Sequence, residues 1–366
     1  MAPSHRLQPQ RQRGRHPRSR WRHDVAGAGR SPILLHGTDR IPLRLPVAGG
    51  EHLGRRLRGE SQSPGTLRRS DDRILNPAGS GPSVSSKRSS KYRRAKLRHL
   101  LFTIGPDRLT GGRLLERHHA AGIATRRLEI ECPRWPRAFD GIRIAHISDF
   151  HVGDLLPMEK AMAVVEELAH ERPDMICNTG DVIDLDCIDV GPLFRSLQAI
   201  EPPLGNYLVL GNHDELDDPD RLRSLATTSG ITVLDDSTTR ILHNGGELVV
   251  GGIQWARTPE ACRHRLDRTV GADGVDLLLA HNPKAFDHAA ELGVPLVLSG
   301  HTHGGQIARK DRPDANLALA HRRSAGLYEH GDSRLFVTVG VGAWFPIRLN
   351  CQAEVVILTV RSAARD

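Results

Sequence analysis

The sequence predicts an α/β domain preceded by a basic N-terminal segment, and three observations support this fold class. Short apolar runs alternate with amphipathic helical patterns, which is typical of strand–helix–strand units with parallel strands. Several of these apolar runs end in an aspartate, asparagine or histidine. The charge also changes along the chain: residues 1–100 contain 23 lysines and arginines against six aspartates and glutamates, whereas the remaining 266 residues contain 28 against 37.

The composition limits the class of protein. Only 4% of the 366 residues are aromatic, so the core must be built from valine, isoleucine, leucine and alanine. The five cysteines form no CxxC pair, which predicts free thiols in a reducing compartment. No run of 18 apolar residues is present, which argues against a transmembrane helix, and no secretory signal is recognisable. We expect a cytoplasmic protein that could lie at the inner face of the membrane.

Residues 1–95 are rich in arginine, proline, glycine and serine and show no sustained periodicity. Such a segment cannot bury enough apolar surface to offset its ordering entropy, so we predict that it is disordered. Its basic charge suits three roles: peripheral contact with an anionic membrane, nucleic-acid binding, or targeting. A fourth interpretation is that the start site is misassigned and the segment has no role. Lys87–Arg98 is the densest basic cluster.

The folded domain is predicted over residues 125–366. A helical linker is predicted before it, over residues 96–124, with interruptions at Gly105-Pro106 and Gly111-Gly112 because glycine and proline break helices. At the start of the domain, Arg127–Cys132 alternates between apolar and polar residues, which predicts an edge strand.

Two strand–helix–strand units follow. Ile142–Ser148 reads as a buried strand, Pro157–Arg172 has a helical apolar stripe, and Met175–Asn178 is a second buried strand. A helix around Val190–Ile200 then leads to a strand at Tyr207–Leu210. The strands of such units lie parallel, so their carboxyl ends should meet at one edge of the sheet.

The second half of the domain is predicted to contain further strands. Those at Ile231–Leu234 and Glu247–Ile253 are expected to be antiparallel. The others are at Asp276–Ala280, Pro295–Leu298, Leu335–Val339 and Glu354–Val360.

Seven side chains with oxygen or nitrogen donors lie at or after strand ends, where α/β sheets bind their ligands. They are Asp149, His151, Asp181, Asn212, His281, His301 and His303. This mixture of donors suits manganese, iron, zinc, cobalt or nickel and argues against a cysteine-based structural zinc site; manganese, zinc or iron is expected. Seven donors exceed the needs of one ion, and one carboxylate can bridge, so we predict two divalent metal ions. Two ions about 3.5–4 Å apart stabilise in-line displacement at phosphorus, which indicates phosphoester hydrolysis.

These residues stand in motifs that resemble the signature of the calcineurin-like metallophosphoesterases, over roughly residues 125–361. The motifs are Asp149-x-His151, Gly180-Asp181, Gly211-Asn212-His213-Asp214, His281 and Gly300-His301-Thr302-His303. The resemblance implies a four-layer α-β-β-α sandwich.

The resemblance also implies a role for each residue. The first metal ion would be bound by Asp149, His151, Asp181 and His303, and the second by Asp181, Asn212, His281 and His301, with Asp181 bridging. A hydroxide held between the ions would be the nucleophile. His213 would stabilise the transition state or protonate the leaving oxygen, and Asp214 would orient His213.

Three further segments resemble a bacterial branch of small phosphodiesterases that are often attached to membranes: Gly300–Gln306, Gly326-Leu327-Tyr328 and Pro346–Cys351. Some members of that branch hydrolyse UDP-2,3-diacylglucosamine in lipid A biosynthesis. The implied substrate is a phosphodiester or a pyrophosphate-linked compound, either a small molecule or lipid-linked. One alternative is a nucleic-acid-directed phosphodiesterase that uses the basic segment for affinity. Another is a non-catalytic scaffold with an inactive metal centre, and the complete donor set argues against this second alternative.

Other polar and aromatic residues are interpreted as structural. Asp184 and Asp186 are predicted to be solvated loop carboxylates. Trp344 is predicted to lie in the core or in a pocket wall. His288 and His321 fit no ligand pattern and are interpreted as surface histidines.

Overall fold

The computed structural model describes residues 89–271, 273–310 and 312–363. Its helices are α1 Ser90–His99, α2 Gly105–Leu109, α3 Arg113–Ala120, α4 Met158–His170, α5 Gly191–Gln198, α6 Pro219–Thr228, α7 Pro259–Thr269 and α8 Phe286–Glu291. Its strands are β1 Ala124–Cys132, β2 Arg143–Ile147, β3 Met175–Asn178, β4 Asn206–Leu208, β5 Thr232–Val233, β6 Ser237–His243, β7 Gly246–Ile253, β8 Leu277–Ala280, β9 Leu296–Ser299, β10 Ala308–Arg309, β11 Arg312–Asn316, β12 Gly326–His330, β13 Ser333–Val337 and β14 Glu354–Ser362.

Two six-stranded sheets form the centre of the described domain. The first has the order β1-β14-β2-β3-β4-β5 and the second has the order β12-β13-β9-β8-β7-β6. Strands β2, β3 and β4 are parallel neighbours, and β7, β8 and β9 are parallel neighbours in the other sheet. The two predicted strand–helix–strand units are therefore confirmed.

The apolar core consists of three layers, one between the two sheets and one between each sheet and the helices that cover it. Residues of both sheets pack together between them, such as Ile144 of β2 and Leu279 of β8. The opposite face of the first sheet packs on α4, α5 and α6 through side chains such as Phe194. The opposite face of the second sheet packs on α7 and α8 through side chains such as Phe286. The four-layer α-β-β-α sandwich is confirmed, and all five cysteines are buried and unpaired.

The predicted antiparallel pair at Ile231–Leu234 and Glu247–Ile253 is wrong. Strand β5 lies parallel to β4 in the first sheet, whereas β7 belongs to the second sheet. The antiparallel partner of β7 is β6, which the sequence analysis did not predict. Strand β6 lies at the edge of its sheet, where its side chains are exposed or half-buried, so it lacks the apolar run that marked most of the predicted strands.

The helical segment before the domain differs from its prediction in two ways. The chain stays helical through Gly105-Pro106, because a π-helical turn at Leu100–Ile104 leads directly into α2 and Pro106 occupies the first turn, where it needs no hydrogen bond. The predicted boundary at residue 95 falls inside α1, which begins at Ser90. The break at Gly111-Gly112 is present.

Residues 1–88 lie outside the described residues, and so does most of the segment predicted to be disordered. Its disorder and its contacts with membranes or nucleic acids stay predictions. Among the described residues, no helix has both the length and the apolar character that crossing a membrane requires.

Candidate metal centre

The predicted ligands lie where strands of both sheets end. Asp149 follows β2, Asp181 follows β3 and Asn212 follows β4, all from the first sheet. His281 follows β8 immediately, and His301 comes two residues after β9, both from the second sheet. The two sheets therefore direct polar loops towards a common site.

The backbone is strained at these loops. Asp149, His151, Asp181, His301 and His303 all have φ between 47° and 70°. This left-handed conformation costs a residue with a Cβ about 1–2 kcal/mol. Such strain persists only where the surrounding structure enforces it, and it concentrates at functional sites.

One group of ligand atoms comprises Asp149, His151 and His303, all buried. The Nε2 atoms of the two histidines lie 3.0 Å apart. Oδ1 of Asp149 lies 3.3 Å from Nε2 of His303 and 3.9 Å from Nε2 of His151. All three ligand atoms lie within 4.8 Å of one another, so one metal ion could bind to all three.

A second group comprises Asp181, His281 and His301, whose ligand atoms also lie within 4.8 Å of one another. Oδ2 of Asp181 lies 3.2 Å from Nε2 of His281. The same oxygen lies 3.5 Å from Nε2 of His151, in the first group. The Asp181 carboxylate therefore stands between the two groups, which is the arrangement of a bridging ligand.

Three buried atoms of the predicted ligands have no partner with hydrogen-bond geometry among the described residues: Nδ1 of His151, Oδ1 of Asn212 and Nε2 of His281. Such atoms are costly unless a ligand binds them. Nδ1 of His281 lies 2.6 Å from the main-chain oxygen of Thr179, so Nδ1–H donates there and Nε2 is left for a metal. These oxygen and nitrogen donors fit a pair of divalent ions.

Two glycines let the backbone approach the carboxylates. A Cβ on Gly211 would clash with the Asp181 carboxylate, and a Cβ on Gly300 would clash with the Asp149 carboxylate. This close approach allows the main-chain N–H of His213 to donate to Oδ1 of Asp181 at 2.7 Å. The glycines of the sequence motifs therefore provide space for the carboxylates.

Asp184 is a site residue that the sequence analysis missed. It was predicted to be a solvated loop carboxylate, but it is only 6% exposed. Its Oδ1 lies 3.2 Å from Nδ1 of His213 and 3.5 Å from Nδ1 of His151. No sequence pattern marked it, because its contacts depend on how the loops pack. Asp186 is exposed, as predicted.

Asp214 does not orient His213, contrary to the prediction. Its Oδ1 accepts hydrogen bonds from the main-chain N–H groups of Val182 and Ile183, and its Oδ2 accepts one from Gly211. The Nδ1–H of His213 instead donates to the main-chain oxygen of Asp184 at 2.5 Å. Asp214 therefore joins the loop after β3 to the loop after β4.

Burial and nearby charges divide the histidines into two classes. Burial and neighbouring cations hold the pKa of His301 and that of His303 well below the usual value, so both rings are neutral and able to bind metal. Burial opposes protonation of His213 and His281 as well, but Asp181 and other carboxylates raise the pKa of each to about 9. In these two rings the nearby carboxylates therefore offset the cost of burying a positive charge.

Further side chains surround the ligands. Nη2 of Arg348 lies 3.4 Å from Nδ1 of His303, and the Trp255 ring lies 4.7 Å from that of His301. His321, interpreted as a surface histidine, is half-buried with its ring 5.1 Å from that of His301. That interpretation is wrong for His288 as well, which is buried between acidic side chains.

Comparison with known proteins identifies the family. The family model for calcineurin-like phosphoesterases matches residues 142–305. The uncharacterized metallophosphoesterase YkuE of Bacillus subtilis (strain 168) is 30% identical over 293 residues, which cover 74% of this chain and 98% of that protein. This chain belongs to the metallophosphoesterases. It is accordingly an enzyme that hydrolyses phosphoesters with divalent metal ions.

Other metallophosphoesterases match a smaller share of the chain. Phosphodiesterase YaeI of Escherichia coli (strain K12) is 29% identical over 229 residues, which cover 59% of this chain and 81% of that protein. An uncharacterized metallophosphoesterase of Helicobacter pylori (strain J99 / ATCC 700824) is 30% identical over 225 residues, and the match covers 59% of each protein.

Proposed function

We propose that the chain is a phosphodiesterase with two metal ions at the strand ends. Asp149, His151, Asp181 and His303 would bind one ion. Asp181, Asn212, His281 and His301 would bind the other. The observation that supports this best is the position of Oδ2 of Asp181, which lies 3.5 Å from His151 and 3.2 Å from His281. Manganese, zinc and iron all suit this donor set.

Two bound ions would neutralise phosphoryl oxygens and lower the pKa of a water molecule. The chain's own residues supply the rest of the mechanism. His213 holds its Nδ1 against Asp184, so Nε2 is the ring atom that faces the site. From there Nε2 can donate a proton to the leaving oxygen.

The Asp184 carboxylate restricts the orientation of two imidazole rings that take part in the proposed mechanism. Its carboxylate contacts Nδ1 of both His151 and His213, so Nε2 of each ring is the nitrogen that is left for other contacts. Carboxylates in this position fix the tautomer and raise the basicity of a metal-binding histidine. Asp184 is therefore proposed as an orienting residue, in place of Asp214.

We propose a phosphodiester or a pyrophosphate-linked compound as the substrate. The name of the Escherichia coli relative, a phosphodiesterase, supports diester cleavage. A lipid-linked sugar nucleotide such as UDP-2,3-diacylglucosamine is a finer proposal, supported by the sequence motifs alone. It is the second substrate to test.

The experiment is hydrolysis of bis(p-nitrophenyl) phosphate by metal-stripped protein before and after addition of Mn²⁺. The wild type is expected to recover activity with metal, and Asp181→Asn is expected to lose both activity and bound metal. Asp332→Asn, which changes an exposed carboxylate, serves as the control and should behave as the wild type. Full activity of Asp181→Asn would contradict the proposal.

A further inference from the structure

Helix α1 lies against the metal centre, although it precedes the residues that the family model matches. Tyr92 is buried, and its hydroxyl donates to Oδ1 of Asp186 at 2.6 Å. His99 lies with Nδ1 3.3 Å from Oδ2 of Asp184 and with Nε2 3.0 Å from Oδ2 of Asp154. These contacts join α1 to the loops after β2 and β3, which carry predicted metal ligands.

The docking of α1 places Arg98 beside His213. Nη2 of Arg98 lies 3.4 Å from Nε2 of His213, the ring atom that faces the site. The guanidinium carbon of Arg98 also lies 5.9 Å from the centre of the Trp344 ring. Phe102, one turn further along, contacts the same ring edge-on at 6.4 Å. Trp344 is half-buried and supports both side chains.

Most N–H groups of the Arg98 side chain have no partner among the described residues. Its guanidinium carries five N–H groups, yet among the described residues no carboxylate lies within 4 Å of it. Its polar side-chain contact there is Nε2 of His213 at 3.4 Å, which accepts no hydrogen bond while it carries the proton for the leaving oxygen. The side chain is exposed to solvent, so a substrate can reach it. A planar guanidinium with free N–H groups is suited to bidentate contact with a phosphate.

We propose that Arg98 binds an anionic group on the leaving side of the substrate. This inference rests on the proposed function, in which His213 protonates the leaving oxygen. A cation next to Nε2 of His213 would contact the part of the substrate that departs. The preferred substrates are therefore those whose leaving group is itself a phosphate, as in pyrophosphate-linked compounds, rather than diesters that release a neutral alcohol or a phenol.

Two substrates that share an adenylyl group test this inference. Cleavage of ADP-ribose releases a phosphate whichever phosphorus is attacked, whereas the p-nitrophenyl ester of AMP releases p-nitrophenol. For Arg98→Gln, kcat/KM on ADP-ribose is expected to fall about 10- to 100-fold, as for loss of a charge-assisted hydrogen bond. On the p-nitrophenyl ester it should change less than about threefold. Arg98→Lys should give an intermediate kcat/KM on ADP-ribose, because lysine keeps the positive charge but cannot make the bidentate contact of a planar guanidinium.

The matched control is Arg94→Gln. Arg94 lies one turn earlier on α1, is exposed, and has its Nε against the main-chain oxygen of Ser90, so both substrates should be cleaved at the wild-type rate. Equal losses on the two substrates for Arg98→Gln would overturn the inference, because they would indicate a general role of α1. The absence of any loss would overturn it as well.

Binding of inorganic pyrophosphate to the manganese-loaded protein gives a readout that needs no turnover. The inference predicts weaker binding for Arg98→Gln, by about tenfold or more, and unchanged binding for Arg94→Gln. If the wild type cleaves neither nucleotide, the proposed function fails, but the pyrophosphate titration still decides whether Arg98 is an anion-binding residue. Equal affinity of the wild type and Arg98→Gln would show that it is not.

Discussion

At the scale of single residues, His213 is proposed to act in the chemical step and not in metal binding. Its Nδ1 is held by Asp184, and its Nε2 is 3.4 Å from a guanidinium that also faces the site. We expect His213→Gln to retain both metal ions and to lose about 10²- to 10⁴-fold in kcat, the range for loss of a general acid. Metal analysis of the purified variant together with diester hydrolysis checks both expectations. A His213→Gln protein that loses its metal would assign the residue to the ligand set instead.

Asp184 belongs to the same scale but should affect both properties. Because its carboxylate contacts His151 and His213, Asp184→Asn should weaken metal affinity about 10- to 100-fold, as is usual for partners that orient metal-binding histidines, and should also lower kcat. Asp332→Asn is again the control. Metal affinity and rate equal to those of the wild type would mean that the contacts of Asp184 have no role in the site.

The candidate ligands could be selected from the sequence because each follows an apolar run that forms a buried strand. Asp184 could not be predicted in the same way, because its role depends on which side chains its loop brings near, and residues such as His213 are distant in sequence. The partners of Asp214 could not be predicted from the sequence either. Its contacts are main-chain N–H groups of a neighbouring loop, which a linear motif does not reveal.

At the scale of elements, Gly211 allows the loops after β3 and β4 to lie in close contact. A Cβ on Gly211 would clash with the Asp181 carboxylate, so Gly211→Ala is expected to displace this carboxylate and to lower both metal content and diesterase activity at least tenfold. Gly271 has no heavy atom near the position of an added Cβ, and Gly271→Ala serves as the control. Normal metal content in Gly211→Ala would show that the loop has room to move.

The elements that the sequence analysis found and missed differ in burial. Strands β2, β3, β8 and β9 have four or more consecutive buried residues each, and such runs are visible in a sequence. Strand β6 has no buried residue, so no apolar run marked it. Helix α1 carries mainly basic residues and docks on the site through Tyr92, Arg98 and His99. A basic pattern of this kind indicates charge but not a docking surface.

At the scale of the whole molecule, the site exists because two sheets end at the same place. The first sheet contributes Asp149 and Asp181 and the second contributes His281 and His301, so neither sheet alone would supply the proposed ligand set. The parallel units of the first sheet were predictable from the alternation of strands and helices. The pairing of the two sheets was implied only by resemblance to a family, since no local pattern states which sheet a strand joins.

The measurement that tests the central claim most directly is a titration of metal-stripped protein with Mn²⁺, in which bound manganese per chain and the rate of diester hydrolysis are followed together. Binding is expected to saturate at two ions per chain, with most of the activity appearing as the second ion binds, because the ligands on either side of Asp181 act as one centre. Full activity with a single bound ion, or activity in protein that binds none, would contradict the account.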